Sequence, residues 1–157
     1  MSPQRTLAAY LKAPFQIELR EVVLPDPGPD EVLIRVKACG ICGTDLHAAR
    51  SQATEWQPFG HEVAGIVAKV GAHVTTVKEG DAVALESASF CGHRDLCRDG
   101  RVDLCNKAPN FWSGPTMGFA EYMLAPKEAL VPFEGMSFEH ACLAEPLGVA
   151  LDMVYTA

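Results

Sequence analysis

The sequence has no long hydrophobic run and carries little positive charge. No window of its 157 residues approaches the roughly 18 consecutive apolar residues of a membrane span, and its opening residues contain no signal-peptide core. Its 13 Lys and Arg face 20 Asp and Glu, a net charge of -7, which disfavours nucleic acid or an anionic membrane as a partner. We therefore expect a cytoplasmic protein that binds neither nucleic acid nor a membrane.

Cysteine is scarce for a disulfide-stabilised scaffold, and closely paired glycines are missing. Six cysteines in 157 residues fall short of the about 8% that such scaffolds carry, so we interpret them as thiols or metal ligands. No two of the 13 glycines are separated by a single residue. This excludes the G-x-G-x-x-G turn of a dinucleotide-binding Rossmann domain from these residues.

Short apolar runs separated by turn residues dominate the chain, a pattern typical of a sheet-rich sandwich or barrel. Val32, Ile34 and Val36 alternate with other residues, as in a strand that buries one face. The length suits one domain with a hydrophobic core of its own. The predicted strands are residues 6–12, 16–24, 31–39, 63–70, 81–85 and 117–124.

Two segments between these strands have a different composition. Residues 40–50 predict a short helix, with Thr44 or Asp45 as its capping residue. Residues 90–110 are polar, charged and weakly periodic, and they hold three of the cysteines. We predict that they form a lobe or a long loop.

The last part of the chain, residues 137–157, is an apolar helical run. Ser137 is a suitable N-cap for it. Because Pro146 lacks a backbone donor, we expect a break or kink near Glu145 that aims the glutamate side chain. The apolar end of this helix is expected either to pack against a surface outside these residues or to be a frayed terminal helix.

A cysteine motif and a His-Glu pair carry the chemistry of the sequence. Residues 39–47 read C-G-I-C-G-T-D-L-H and follow a predicted strand, and residues 60–62 read G-H-E and open another. Thiolate, imidazole and carboxylate are ligands of Zn²⁺, and three protein ligands with an open position make a catalytic site. Cys39 and Cys42 are equally compatible with a thioredoxin-type redox pair, and a lone histidine is more often an ordinary core or surface residue.

Five motifs in this order resemble the zinc-dependent alcohol and polyol dehydrogenases of the medium-chain dehydrogenase/reductase family. They are Gly40-Ile41-Cys42-Gly43-Thr44-Asp45, Gly60-His61-Glu62, Gly80-Asp81-Ala82-Val83, Gly118-Phe119-Ala120-Glu121-Tyr122 and Glu145-Pro146-Leu147. The resemblance implies a mainly β fold with short helices, the GroES-like β-barrel of a catalytic domain. The strand-rich pattern points to the same class.

The resemblance also implies the ligands of a catalytic Zn²⁺. Cys42 and His61 supply the thiolate and the imidazole, and Glu62 and Glu145 supply carboxylates, as in the sorbitol, threonine and glucose dehydrogenase branch. Because consecutive strand residues point to opposite faces, His61 and Glu62 can both bind the metal only where regular pleating has not begun. Glu145 could instead stabilise a helix N-terminus.

Three residues near this implied site are given other roles. Cys39 is not a ligand in the resembled family, and we expect it to be a buried core thiol. Cys142 lies one helical turn before Glu145 and is a rival third ligand, although we favour a core position for it. Asp45 is expected to accept a hydrogen bond from the ligating imidazole, to cap a helix, or both.

The resemblance assigns the catalytic roles to Thr44, His47 and Glu62. The metal acts as a Lewis acid on the substrate hydroxyl, and the proton that this hydroxyl loses has to reach solvent. The Thr44 hydroxyl and the His47 imidazole form the implied relay, through a cofactor ribose hydroxyl. Alternatively, Thr44 caps a helix and His47 is an ordinary exposed histidine.

The polar segment keeps part of the spacing of the structural zinc site found in many members. The cysteines that keep it are Cys91, Cys97 and Cys105. Arg94 occupies the second ligand position, and a guanidinium has no free lone pair for a metal. His93 or Asp95 would have to replace it, and we favour a lobe without zinc.

We therefore predict that residues 1–157 form the catalytic domain of a zinc-dependent NAD(P) oxidoreductase, with residues 90–110 as a structural-zinc-type lobe. Residues 137–157 would lead into a C-terminal Rossmann domain that binds NAD or NADP, so this chain alone is expected to be inactive. The expected substrate is a secondary alcohol, polyol or sugar, and the full-length protein is expected to be a homo-oligomer. The alternatives are a metal-binding or thiol redox module and a non-enzymatic GroES-like scaffold.

Overall fold

The computed structural model describes residues 4–87, 90–107 and 110–156, so the predicted lobe and the predicted terminal helix lie partly outside the described residues. The strands are β1 (Gln4–Lys12), β2 (Gln16–Leu24), β3 (Glu31–Gly40), β4 (Gln57–Pro58), β5 (Glu62–Val70), β6 (Ala82–Leu85), β7 (Tyr122–Pro126) and β8 (Leu130–Pro132). The α-helices are α1 (Gly43–His47), α2 (Asp95–Arg98), α3 (Phe138–Ala141) and α4 (Ala144–Thr156). Strands therefore dominate, as predicted, and the helices are short.

The strands form two antiparallel sheets. The smaller has the order β2-β1-β4 and the larger the order β7-β3-β5-β6-β8. The sheets meet where β1 runs past the segment that leads into β7: the Ala9 amide donates to the Phe119 carbonyl at 2.8 Å, and the Glu121 amide donates to the Leu7 carbonyl at 3.0 Å. No helix in the described part of the chain is long and apolar enough to cross a membrane.

The main hydrophobic core receives side chains from all five strands of the larger sheet. The predicted inward positions Val32 and Ile34 on β3 are buried. Leu33, predicted to face the other way, is also buried, so this part of β3 is covered on both faces. Ile34 lies opposite Met123 of β7 in the sheet register.

The region after β3 forms the predicted short helix, and one of its two candidate capping residues, Asp45, binds a backbone amide at the helix start. Helix α1 begins after Cys42, which is its N-cap, and Asp45 lies in its first turn. The Asp45 carboxylate accepts a hydrogen bond from the Cys42 amide at 3.0 Å. Asp45 therefore stabilises the helix start from inside the helix, and Thr44 is not its cap. A π-helical turn at Ala48–Gln52 follows α1.

The strand predicted at residues 117–124 begins five residues later, as β7. The earlier part is a loop because its amides bond outside the larger sheet. Gly118 donates to the Gly60 carbonyl at 2.9 Å, and Phe119 donates to the Phe59 carbonyl at 3.2 Å. This loop is therefore tied to the segment that carries His61.

The helical run near the chain end is divided into two helices close to the predicted position. Ser137 caps α3 by accepting from the His140 amide at 3.3 Å, as predicted. The break falls between α3 and α4, before Glu145 rather than at it. Pro146 is within the first turn of α4, where a missing backbone donor costs no helical hydrogen bond. The run therefore breaks near Glu145, as predicted, but at residues 142–143, and α4 continues through Pro146.

Replacing Ile34, which is 1% exposed, tests this core. We expect Ile34→Ala to lower the free energy of unfolding by about 2–5 kcal/mol, because it leaves a cavity, and Ile34→Val by about 0.5–1.5 kcal/mol. Ile17→Ala on the exposed side of β2 is the control and should change stability by less than about 0.5 kcal/mol. Urea denaturation measures all three, and equal losses for Ile34→Ala and Ile17→Ala would contradict the assignment of the core.

Candidate metal centre

Three donor side chains from two separate segments come together at one end of the larger sheet. Cys42, His61 and Glu62, here called the donor trio, each offer a ligand atom, and these atoms lie within 4.8 Å of one another. The antiparallel pairing of β3 with β5 places Gly40 opposite Glu62. The end of one strand and the start of the other therefore bring the two motifs side by side.

His61 and Glu62 are consecutive in the chain, yet both contribute to the donor trio. His61 precedes β5, and Glu62 is its first residue. Gly60, just before them, has a φ of +92°, a conformation that favours glycine. The two side chains therefore converge because regular strand pleating begins only after His61. This is the condition under which both residues can bind one metal ion.

Burial makes the donor trio suitable for a cation. His61 is 5% exposed and Glu62 is 7% exposed, while Cys42 is half-buried. A buried carboxylate next to a thiol and an imidazole loses its hydration and is stabilised by a bound cation. Sulfur, nitrogen and oxygen donors are the mixed set that Zn²⁺ accepts, and three of them leave one position open. The residues present therefore fit Zn²⁺.

The buried carboxylate of Asp45 connects the two segments of the site. It accepts from the Cys42 amide at 3.0 Å and from the Gly60 amide at 3.3 Å. Its Oδ1 lies 4.0 Å from His61 Nδ1, which is too long for a hydrogen bond. The expected hydrogen bond from the imidazole is therefore not formed in this structure, and Asp45 binds the backbone on either side of the donor trio instead.

Gly40 leaves the space that the Glu62 carboxylate occupies. A Cβ atom built on Gly40 would lie 2.0 Å from Glu62 Oε2, far inside van der Waals contact. Gly43, only three residues further along, has no atom within 4 Å of the corresponding position. The two glycines of the C-G-I-C-G motif therefore have different roles, and only the first is required by the site.

Glu145, the fourth predicted ligand, does not join the donor trio. Its Oε1 accepts a hydrogen bond from Ser87 Oγ at 2.5 Å. Trp112 Nε1 donates to the Ser87 carbonyl at 3.3 Å, and the Trp112 ring lies 5.1 Å from the His61 ring between centroids. Ser87 therefore links Glu145 to Trp112, the aromatic residue beside His61. No motif in the sequence indicated this role of Ser87.

A large open cavity lies next to Ser87 and Glu145. Its volume is about 1090 Å³, and its lining includes Ser87, Trp112, Phe133, Glu145 and Asp152. The lining combines apolar rings with a few polar groups, which is usual for a small-molecule site. Both members of the Ser87–Glu145 pair line this cavity, whereas no member of the donor trio is among its lining residues.

Thr44 and His47, the predicted proton relay, both lie on α1 and are exposed. They are three positions apart, which places them on the same face of this short helix. Their position beside Cys42 agrees with the prediction, and their role stays a prediction.

Residues 28–135 match the sequence profile of the alcohol dehydrogenase GroES-like domain. The chain belongs to this family. Its mainly β architecture is thereby confirmed as the predicted GroES-like fold.

Curated relatives with dehydrogenase activity match the GroES-like chain over nearly its whole length. L-threonine 3-dehydrogenase of Pyrococcus horikoshii is 38% identical over 98% of this chain and 46% of its own length. Sorbitol dehydrogenase of Bacillus subtilis is 37% identical over 95% of this chain and 44% of its own length. The chain therefore spans somewhat less than half the length of these relatives.

Solved structures show the same relationship. A Sinorhizobium meliloti protein assigned as a zinc-binding dehydrogenase and solved with NADP has a TM-score of 0.81 and 33% identity, over 98% of this chain and 46% of that one. Galactitol-1-phosphate dehydrogenase of Escherichia coli also has a TM-score of 0.81, with 27% identity, over 92% of this chain and 43% of that one. The GroES-like fold is thus shared with dehydrogenases that are about twice as long.

Two cysteines near the donor trio of this GroES-like domain have the surroundings of core thiols. Burial raises the pKa of Cys39 to about 12, and its side chain packs against the main core. Burial also raises the pKa of Cys142, whose Sγ donates to the Glu139 carbonyl at 3.3 Å. Neither belongs to the donor trio. A thiol with the raised pKa of Cys39 is a poor redox nucleophile, which argues against a redox pair with Cys42.

The polar lobe holds a second group of donors. The sulfurs of Cys91, Cys97 and Cys105, here called the lobe cluster, lie within 4.8 Å of one another. Hydrogen bonds, chiefly from the His93 amide, lower the pKa of Cys91 to about 6. The proposed replacements for the missing ligand, His93 and Asp95, are not part of the group.

Gly40→Ala tests the role of the space beside Glu62. The added methyl group displaces the carboxylate, so we expect the affinity for Zn²⁺ to fall about 10–100-fold while the fold is retained. Gly43→Ala is the matched control and should bind Zn²⁺ as the parent does. Competition with a chromophoric chelator, in a Cys97→Ser background that isolates the donor trio, measures both affinities. Equal affinities for the two variants would contradict the proposed position of Glu62.

Proposed function

We propose that this chain is the catalytic domain of a zinc-dependent, NAD- or NADP-linked oxidoreductase that converts a secondary alcohol, polyol or sugar hydroxyl to a carbonyl by hydride transfer. The convergence of Cys42, His61 and Glu62 carries this proposal. It is supported by the family to which the chain belongs and by relatives named as threonine and sorbitol dehydrogenases.

Cys42, His61 and Glu62 are the proposed ligands of Zn²⁺. The ion supplies a Lewis acid that stabilises negative charge on a substrate oxygen. The chain itself orients the donors, because the β3–β5 pairing and the Asp45 carboxylate hold both segments. Glu145 is proposed as a further carboxylate of the site. In this structure its Oε1 is bound to Ser87 and it lies outside the donor trio, so its side chain would have to move toward the trio to bind the metal.

The proposed substrate site is the cavity lined by Trp112, whose ring lies 5.1 Å from the His61 ring between centroids. Trp112 and Phe133 give it apolar walls, and Ser87, Glu145 and Asp152 give it oxygen acceptors and donors. Polar groups of this kind suit the several hydroxyls of a polyol or sugar. This composition, together with the glutamate at position 145, supports a polyol-type substrate rather than a simple aliphatic alcohol.

Thr44 and His47 are the proposed route for the proton that the substrate hydroxyl loses. The Thr44 hydroxyl can accept and donate a proton, and it belongs to the turn that follows Cys42. The His47 imidazole changes charge near neutral pH and is exposed to solvent on the same helix. Protons can therefore leave along one face of α1.

We further propose that residues 1–157 act together with a C-terminal Rossmann domain that binds NAD or NADP, with residues 90–110 as the lobe and residues 137–157 as the lead-in. The exposed apolar side chains of α4 support this arrangement: Leu147, Val149, Leu151 and Met153. A homo-oligomeric full-length protein is proposed with it. The six free cysteines support a reducing, cytoplasmic location.

Metal analysis tests the proposed ligands. We expect Cys42→Ser and His61→Ala each to lose one equivalent of Zn²⁺ per chain relative to the parent protein, because each removes a donor. Cys142→Ser is the matched control: it removes a neighbouring thiol outside the donor trio and should keep the metal. Mass spectrometry of native protein gives the stoichiometry. Loss of Zn²⁺ from Cys142→Ser but not from Cys42→Ser would overturn the ligand assignment.

Substitution of Thr44 tests the proton route in the full-length enzyme. Thr44→Val keeps the side-chain shape but removes the hydroxyl, so we expect kcat to fall about 10²–10⁴-fold with little change in KM. Thr44→Ser keeps the hydroxyl and should retain most of the activity. Steady-state reduction of NAD or NADP with a polyol substrate measures both. A Thr44→Val enzyme as active as the parent would remove Thr44 from the mechanism.

A further inference from the structure

The three sulfurs of the lobe cluster already have the spacing of ligands around one cation. Cys91 Sγ and Cys97 Sγ are 3.7 Å apart, and a tetrahedral Zn²⁺ with bonds of roughly 2.3 Å holds its sulfurs roughly 3.8 Å apart. Three points within 4.8 Å of one another always share a point no more than about 2.8 Å from each, so small movements would bring all three sulfurs to bonding distance.

Backbone amides hold these sulfurs in place. The Cys91 amide donates to Cys105 Sγ at 3.4 Å. Backbone hydrogen bonding at His93 and Arg94 lowers the pKa of Cys91. Charge-assisted hydrogen bonds from N–H groups favour thiolate sulfur. The backbone of the loop therefore contributes to holding the sulfurs together.

Within the described residues, the lobe cluster has no fourth protein ligand. Arg94 occupies the position where a ligand would complete the set, and its guanidinium cannot bind a metal. His93 Nδ1 lies 2.7 Å from the Cys91 carbonyl oxygen, and its ring is not part of the group. The count of protein donors therefore stops at three.

A depression in the surface gives solvent access to the lobe cluster. Its volume is about 400 Å³, and Cys91, His93, Lys107 and Lys127 are among the residues that line it. The lining also carries the carboxylates of Asp30, Glu31 and Glu128, and Lys127 Nζ lies 2.7 Å from Asp30 Oδ1, so the space has no excess of positive charge and suits a small neutral donor. A ligand from solution can therefore reach the side of the cluster on which Cys91 lies.

We propose that the lobe cluster is an open three-thiolate site for a thiophilic divalent cation such as Zn²⁺, with one coordination position left to a small ligand from solution. A structural zinc site is closed by four protein ligands; here Arg94 in place of a ligand keeps the site open and its metal exchangeable. We expected a lobe without zinc because a structural zinc site needs four protein ligands. The positions of the sulfurs instead favour a site with three protein ligands. This proposal does not depend on the proposed dehydrogenase function.

Co²⁺ provides a direct test, because its absorption bands report on both the number of thiolates and the coordination number. The Cys42→Ser chain, in which the donor trio has lost its thiol, is titrated with Co²⁺ under anaerobic conditions. We expect one Co²⁺ per chain with intense sulfur-to-metal bands, which disappear in the further variant Cys97→Ser. Addition of imidazole or a small thiol should then shift the bands, since the open position accepts it.

Arg94→Cys supplies the matched comparison, because it adds the missing fourth thiol. Its Co²⁺ bands should be insensitive to added imidazole or thiol, and its affinity for Zn²⁺ should exceed that of the Arg94 chain by at least about tenfold. If Arg94→Cys does not fold, the response of the Arg94 chain to added ligands still decides. Absence of Co²⁺ binding, bands that added ligands leave unchanged, or a Cys91–Cys97 disulfide in freshly purified protein would each overturn the proposal.

Discussion

The buried Asp45 carboxylate is the constraint on which the proposed catalytic site depends. It accepts hydrogen bonds from the amides of Cys42 and Gly60, and these residues belong to segments that the β3–β5 pairing brings side by side. One amide belongs to Cys42 itself, and the other belongs to Gly60, which directly precedes His61. One carboxylate therefore fixes the thiol and the imidazole relative to each other. It does so through the backbone, leaving the donor atoms themselves free for a ligand.

The donor trio and the lobe cluster differ in how far their donor atoms are buried. In the donor trio, His61 and Glu62 are almost completely removed from solvent, so a cation offsets the cost of burying the carboxylate. The lobe cluster is only partly buried, and its sulfurs receive hydrogen bonds from backbone amides. The first group therefore belongs to the body of the fold, and the second is organised by the local path of one loop.

Several local features could be predicted because they depend on neighbours in the chain. Ser137 caps α3 as expected, since an N-cap interaction spans only three residues. The break in the last helical run was expected near Glu145 and lies at residues 142–143. Pro146 does not mark it, because proline is tolerated in a first turn, and α3 packs against the larger sheet just before the break. The residues before β7 were predicted as a strand, but their amides bond to the loop before β5, a long-range choice that has no local signal.

By itself, the sequence determined the family, the strand-rich fold and the types of donor available, because motifs, hydrophobic periodicity and side-chain chemistry are all properties of short segments. Only the tertiary structure decided which donors meet. It brought Cys42 to His61 and Glu62, bound Glu145 to Ser87 instead, and gathered the three sulfurs of the lobe around one point. Which donor side chains come close together depends on strand register and loop path. Both are set by contacts between residues that are distant along the chain.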